Sequence, residues 1–251
     1  MTTSRAFLTA EWRYLLMLNY EIDPQVLAPL VPAGVELDTW QDKTLVSVVG
    51  FLFLKTRVLG IPVPGHRNFE EVNLRFYVRR KVGSERRRGV VFVKEIVPRP
   101  WIARVANGFY GEHYAALPMG HTIEPGSDAR LPRLVEYTWR LRRGWARRSR
   151  LHRLGGLAVG GLREIAPGSE EEFITEHYWG YTRLGARRTG EYRVEHPRWR
   201  VWAVEQPYLL CDVRALYGPQ FEAALCGRPR SALLAEGSPV TVYMGGSWHV
   251  E

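Results

Sequence analysis

From Glu71 to Arg79 polar and apolar residues alternate without a break. Val72, Leu74, Phe76 and Val78 fall on one side, and Glu71, Asn73, Arg75, Tyr77 and Arg79 on the other. A period of two is the signature of a strand with two unlike faces, and no helix accommodates it. The polar stretch Lys81 to Gly89 follows, then the apolar run Val90–Val97, so the two segments are expected to form an antiparallel hairpin. The polar face of such a hairpin ordinarily looks at water. If the strands close on themselves, the same face lines a wet interior.

Further strands are expected at Thr44–Phe53, Leu134–Leu141, Leu157–Ile165, Tyr192–Glu195, Trp199–Val204 and Val240–Met244. The first of these is almost wholly apolar, as a strand buried on both faces would be. Helices are few and short. Asp23-Pro24 supplies a cap and a first-turn proline for Val26, Leu27 and Leu30. Ser169 with Glu172 three residues on forms a capping box ahead of Phe173, Ile174 and His177. Gln220–Cys226 reads as helix ending at Gly227, and Ser231–Glu236 as one further helical turn. Many short strands with few helices make a β-rich α+β domain.

The chain of 251 residues can bury a full core, and no linker, repeat or low-complexity tract divides it. A single domain over residues 1–251 is expected. Cys211 and Cys226 are too few for a disulfide scaffold and lack metal-ligand spacing. The apolar run Tyr14–Leu18 is too short for a leader or a membrane span, which leads to the expectation of a soluble cytoplasmic protein. Only four of the 35 basic residues are lysines. The densest basic run, Trp139–Arg153, interleaves arginine with tryptophan and is expected to be the solvated edge of two strands, with an acidic polymer as partner the weaker alternative. Without a nucleic-acid-binding motif beside it, nucleic acid is not expected as a partner. No cofactor and no metal is expected, and a homo-oligomer stays open.

The stretch Val90–Met119 reads as a strand, a short helix opened by Pro100, and a turn ending in Glu112-His113-Tyr114. Around it, IDPQVLAPLVPAGVELD from Ile22 resembles the opening segment of the acetoacetate decarboxylase-like superfamily. NFEEVNLRFYV, GVVFVKEIVPR, EEFITEHYWGY, YRVEHPRW and GSPVTVYMGG resemble its uncharacterised YqjF-like branch. The fold this resemblance implies is a cone-shaped, mostly antiparallel β-barrel with flanking short helices and a pocket inside the cone.

The resemblance implies less about chemistry. The decarboxylases form a Schiff base on a buried lysine whose pKa a second, adjacent lysine lowers. Counted forward from Pro100, that pair falls on His113 and Tyr114, and neither imidazole nor phenol forms an iminium. Imine decarboxylation is therefore not expected, and acid–base chemistry by His113 with Tyr114 as hydrogen-bond donor takes its place. The family's anion-orienting arginine falls on Arg13 and its supporting glutamate on Glu71, while a second pocket glutamate falls near Val49. His177 and Tyr178 join the expected ligand contacts, with His177 at a helix C-terminus where the dipole favours its protonated form. Tyr110, Tyr114, Tyr178 and Trp179 would suit a flat or partly apolar ligand. The expectation is thus an enzyme acting on a carboxylate or enolisable carbonyl compound, with a non-catalytic ligand-binding barrel as the alternative.

Overall fold

The computed structural model describes residues 5–104, 113–126, 132–142 and 149–250. Among the described residues fifteen strands form one sheet. The first eight are β1 (Ala6–Glu21), β2 (Glu36–Leu37), β3 (Leu45–Val58), β4 (Ile61–Pro62), β5 (Phe69–Val82), β6 (Glu85–Val97), β7 (Tyr114–Ala116) and β8 (Met119–Pro125). The rest are β9 (Pro132–Arg142), β10 (Ser149–Glu164), β11 (Trp179–Arg183), β12 (Arg188–Glu195), β13 (Arg200–Leu210), β14 (Ser231–Tyr243) and β15 (Gly246–His249).

Neighbours run β12-β11-β6-β5-β3-β1-β14, and β12 returns to pair with β14, so these strands make a ring. All the junctions are antiparallel except β11 with β6. Two junctions are thin. The parallel one holds only Trp179 against Gly89 and Gly180 against Val90, and the closing one only Val194 against Val242 and Glu195 against Thr241. From β14 the sheet continues through β13, β10, β9 and β8, which fold back over the outside of the ring.

Two cores follow from strand parity. On β1, β3 and β5 one set of side chains, including Leu16, Val48, Leu74 and Phe76, packs outward against Tyr137, Trp139 and Leu154 of the outer sheet. The opposite set, including Leu15, Met17, Val49, Phe51 and Tyr77, faces into the ring. β3 serves both cores, so every residue from Leu45 to Phe53 is buried, as its unbroken apolar run predicts.

Two distortions make the ring possible. Tyr14 sits at φ 55°, and the β1–β3 register slips between Arg13 and Leu16. That bulge absorbs one residue, so Trp12 and then Leu15 and Met17 share the interior. The freed Tyr14 carbonyl accepts a 2.8 Å hydrogen bond from the Tyr137 hydroxyl of the outer sheet. Opposite it on β14, Gly237 has φ +78°, and a Cβ there would lie 1.9 Å from the Trp12 carbonyl oxygen. Only glycine fits both the angle and the approach.

The caps read from sequence form as expected. Asp23 accepts from Gln25 N–H at 2.8 Å, and Ser169 accepts from Glu172 N–H at 3.2 Å. The helix Glu170–Thr175 buries Phe173 and Ile174 and plugs one end of the ring beside Tyr77. One segment differs. Ser231–Glu236, expected as a helical turn, is the first half of β14, and the expected last strand Val240–Met244 continues β14 as far as Tyr243 rather than ending the fold. Leu233, Leu234 and Ala235 are buried between β1 and β13, so pairing on both edges overrides the local helical pattern. The helix Val213–Tyr217, capped by Asp212, has no counterpart in the sequence reading. No helix among the described residues is long and apolar enough to cross a membrane.

Candidate functional site

The ring encloses a cavity of about 410 Å³. Its wall is largely aromatic, and its mouth is marked by exposed Pro64 and by Trp101, which is 65% exposed. Register fixes the depth of each inward side chain. On β5 Phe69 pairs with Phe53, Glu71 with Phe51, Asn73 with Val49 and Arg75 with Ser47, so the wall runs from aromatic at the mouth to polar below. At the aromatic level Phe53 stacks on Phe69 (4.6 Å between ring centroids), and Trp12 meets Phe51 and Phe53 edge-on at 5.3 and 5.7 Å.

Below the aromatics lies Glu71, 3% exposed, whose carboxylate accepts from Asn73 Nδ2 at 2.9 Å and from the Tyr114 hydroxyl at 3.3 Å. Glu95 faces the same space from β6, level with Asn73. Arg75 is two residues deeper. Its Nη2 donates to the Ile174 carbonyl at 3.3 Å and contacts Met17 Sδ at 3.7 Å, while its Nε–H has no partner. Among the described residues no carboxylate pairs with this guanidinium.

Two imidazoles complete the polar wall. His177 is 8% exposed and neither ring nitrogen has a hydrogen-bond partner. Burial first, then the Arg88 and Arg75 charges, hold its pKa well below the usual histidine range. Asp38 lies 4.0 Å from His177 Nε2, beyond hydrogen-bond reach, and its charge is engaged by Arg88 at 2.7 Å. The imidazole is therefore neutral, contrary to the protonated form expected from the helix terminus; desolvation outweighs the dipole of so short a helix. His196 is also kept neutral, mainly by burial. Its ring stacks on Trp199 at 4.1 Å and its Nδ1 lies 2.9 Å from the Pro197 carbonyl, which fixes Nδ1 as the protonated nitrogen and leaves Nε2 as an acceptor.

The residues expected from sequence divide between the two faces of the wall. Glu71, Tyr114 and His177 line the cavity. His113 does not. It is exposed on the outer side of the ring, beside a smaller recess of about 210 Å³ formed with Pro29, Leu30, Val91 and Arg183. Tyr114 begins β7 opposite Glu95 and points inward, so its neighbour points out by strand alternation. Arg13 also faces away from the cavity. It pairs with Glu11 at 3.0 Å and donates to the Gly237 carbonyl at 3.2 Å, rather than meeting Glu71. Since Trp12 points inward, Arg13 must point outward. Tyr178 stands behind the wall, donating to Glu176 and packing on His196 at 4.8 Å, with burial pushing its pKa up. Tyr110 and Glu112 lie outside the described residues.

Arg75 is given no functional role by the sequence alone. The signal for Arg75 is present in the alternation itself, which puts it on the face of Glu71. None of the chain's four lysines, Lys43, Lys55, Lys81 and Lys94, lines the cavity, so it offers no amine for imine chemistry. Among the described residues no group of His, Cys, Asp and Glu is arranged to hold a metal ion. The basic run falls on the β9–β10 hairpin, where Arg153 pairs with Glu136 at 3.5 Å and Arg150 with Asp212 at 3.6 Å. Residues 143–148 of that run lie outside the described residues.

A family model described as an uncharacterised conserved protein, DUF2071, matches residues 9–239. The chain belongs to the DUF2071 family. Over 68 residues it is 38% identical to the uncharacterised protein YqjF of Bacillus subtilis (strain 168), an alignment spanning 27% of this chain and 28% of that protein. Among solved structures, an acetoacetate decarboxylase-like enzyme from Sphingomonas wittichii RW1 is similar over 99% of this chain and 94% of its own, at 17% identity and a TM-score of 0.62. The enduracididine biosynthesis enzyme MppR complexed with pyruvate is similar over 100% of this chain and 92% of its own, at 12% identity and a TM-score of 0.65. Acetoacetate decarboxylase from Legionella pneumophila is similar over 99% and 90%, at 12% identity and a TM-score of 0.61. The DUF2071 chain thus has the acetoacetate decarboxylase-like fold, and its chemistry rests on its own cavity.

Proposed function

We propose that this protein is an enzyme that moves a proton on an enolisable carbonyl compound carrying a carboxylate, within the ring's cavity and without a Schiff base. The observation that carries this reading is the Tyr114 hydroxyl on the buried Glu71 carboxylate at 3.3 Å, in the same cavity as Arg75. Arg75 holds the substrate anion, because a guanidinium that no carboxylate among the described residues engages has donors to give. Glu71 takes a proton from the carbon next to the substrate carbonyl. That C–H bond breaks, its electron pair forms a C=C bond to the carbonyl carbon as the C=O π pair moves onto oxygen, and the Tyr114 O–H donates to the enolate oxygen so formed. Returning the proton to carbon restores Glu71. His196 Nε2 and neutral His177 stand by as further hydrogen-bonding groups. The low dielectric of an aromatic wall strengthens each of these interactions.

The test follows deuterium uptake by NMR in heavy water, using 4-oxopentanoate and 4-oxo-4-phenylbutanoate. Wild-type protein is expected to speed exchange at the carbon beside the ketone, and Glu71→Gln to lose roughly 100-fold or more of that rate. Binding of either compound without exchange would replace the enzyme by a non-catalytic ligand-binding barrel. Binding of neither overturns the proposal.

A further inference from the structure

Resting on that reading of the cavity, we infer that the ligand is a carboxylate with an aromatic or extended apolar body, bound with its anionic end deep and its body toward the mouth. Three observations converge on it. The first is size. A cavity of about 410 Å³ lies in the range that encloses drug-sized molecules (about 300–1,000 Å³) and leaves a three-carbon acid mostly unsupported.

The second is the order of groups along β5. From Phe69 to Arg75 the inward side chains pass from aromatic through carboxylate to guanidinium over about 20 Å of strand, at about 3.3 Å per residue. Arg75 is drawn toward Ile174 and Met17, and no ion pair joins it to Glu71. A molecule that engages both must extend between the two depths. The aromatic level then receives what lies beyond the reacting carbon, and the rings of Trp12, Phe51, Phe53 and Phe69 offer a flat ligand both faces and edges.

The third is charge. The buried carboxyl groups of Glu71 and Glu95 both sit between the mouth and Arg75, so an anion is disfavoured at mid-depth and held only at the deep end. One guanidinium flanked by two neutral imidazoles matches a monoanion, whereas a phosphate dianion calls for more cations than this wall presents.

Calorimetry on wild-type protein with 4-oxo-4-phenylbutanoate, its primary amide and 4-oxopentanoate tests this directly. The phenyl acid is expected to bind at least about tenfold tighter than its amide, the worth of a charge-assisted hydrogen bond. It should bind at least about thirtyfold tighter than the methyl ketone, from burial of the ring. Arg75→Met should erase the difference between acid and amide while the amide still binds. Equal affinity for acid and amide in the wild type, or for phenyl and methyl ketones, overturns the inference without depending on any variant. If the methyl ketone binds and exchanges as well as the phenyl ketone, the enzyme reading stands and this inference falls. If the phenyl acid binds through Arg75 with no exchange, this inference stands and the enzyme reading falls.

Discussion

At the scale of single residues, parity decides who takes part. His113 and Tyr114 are adjacent in sequence and face opposite sides of one wall, as do Trp12 and Arg13. Counting along a family pattern carries position down the chain, but it does not carry which face a side chain takes. The alternation in 71–79 does carry it, and reading Arg75 with Glu71 needed nothing beyond that segment. What the segment could not reveal was whether its polar face met water or a cavity, because that depends on closure by strands more than a hundred residues away. Burial also sets a pH dependence. His152, His177 and His196 all have pKa values lowered mainly by burial. Above pH ~6.5 both folded and unfolded forms are neutral, and below it the unfolded chain takes up protons that the native state refuses, so stability falls as pH drops. Thermal melting between pH 7 and pH 5 is expected to show this decline, at up to about 1.4 kcal/mol per pH unit for each histidine. His177→Asn should flatten the slope; an unchanged slope would mean that His177 is charged in the native protein.

Among the elements, the β1 bulge and its two supports hold the cavity's aromatic level in place. Gly237→Ala would force φ +78° on a residue with a Cβ and drive it against the Trp12 carbonyl, so urea unfolding should register a loss of about 3 kcal/mol or more. Gly60→Ala makes the contrast, since Gly60 has φ +83° but nothing within 4 Å of an added Cβ. Its cost should stay near about 1 kcal/mol, the backbone term alone. Tyr137→Phe removes the hydrogen bond to the Tyr14 carbonyl and should cost about 1 kcal/mol. Local sequence announced β3 and the β5–β6 hairpin through composition. It misread Ser231–Glu236 because a buried strand paired on both edges and a short apolar helix share the same residues. The bulge at Tyr14 left no local mark, since no glycine or proline stands there.

For the molecule as a whole, the ring is strong on one side and thin on the other. β1, β3, β5 and β14 pair over long registers, while β11 and β12 are tied in by two residue pairs at each seam. Amide hydrogen exchange should therefore open Gly180 and Val194 well before Leu16, Val48 or Leu74, and a ligand bridging the cavity should slow the former. Equal protection all round would show a uniformly closed barrel. The proposed chemistry belongs to the interior and not to the outer recess beside His113. Two single variants on neighbouring residues separate these sides in the deuterium-exchange assay with 4-oxo-4-phenylbutanoate. Tyr114→Phe is predicted to lose at least about tenfold in exchange rate while His113→Ala keeps the wild-type rate; loss in His113→Ala with Tyr114→Phe unaffected would place the chemistry at the outer recess instead.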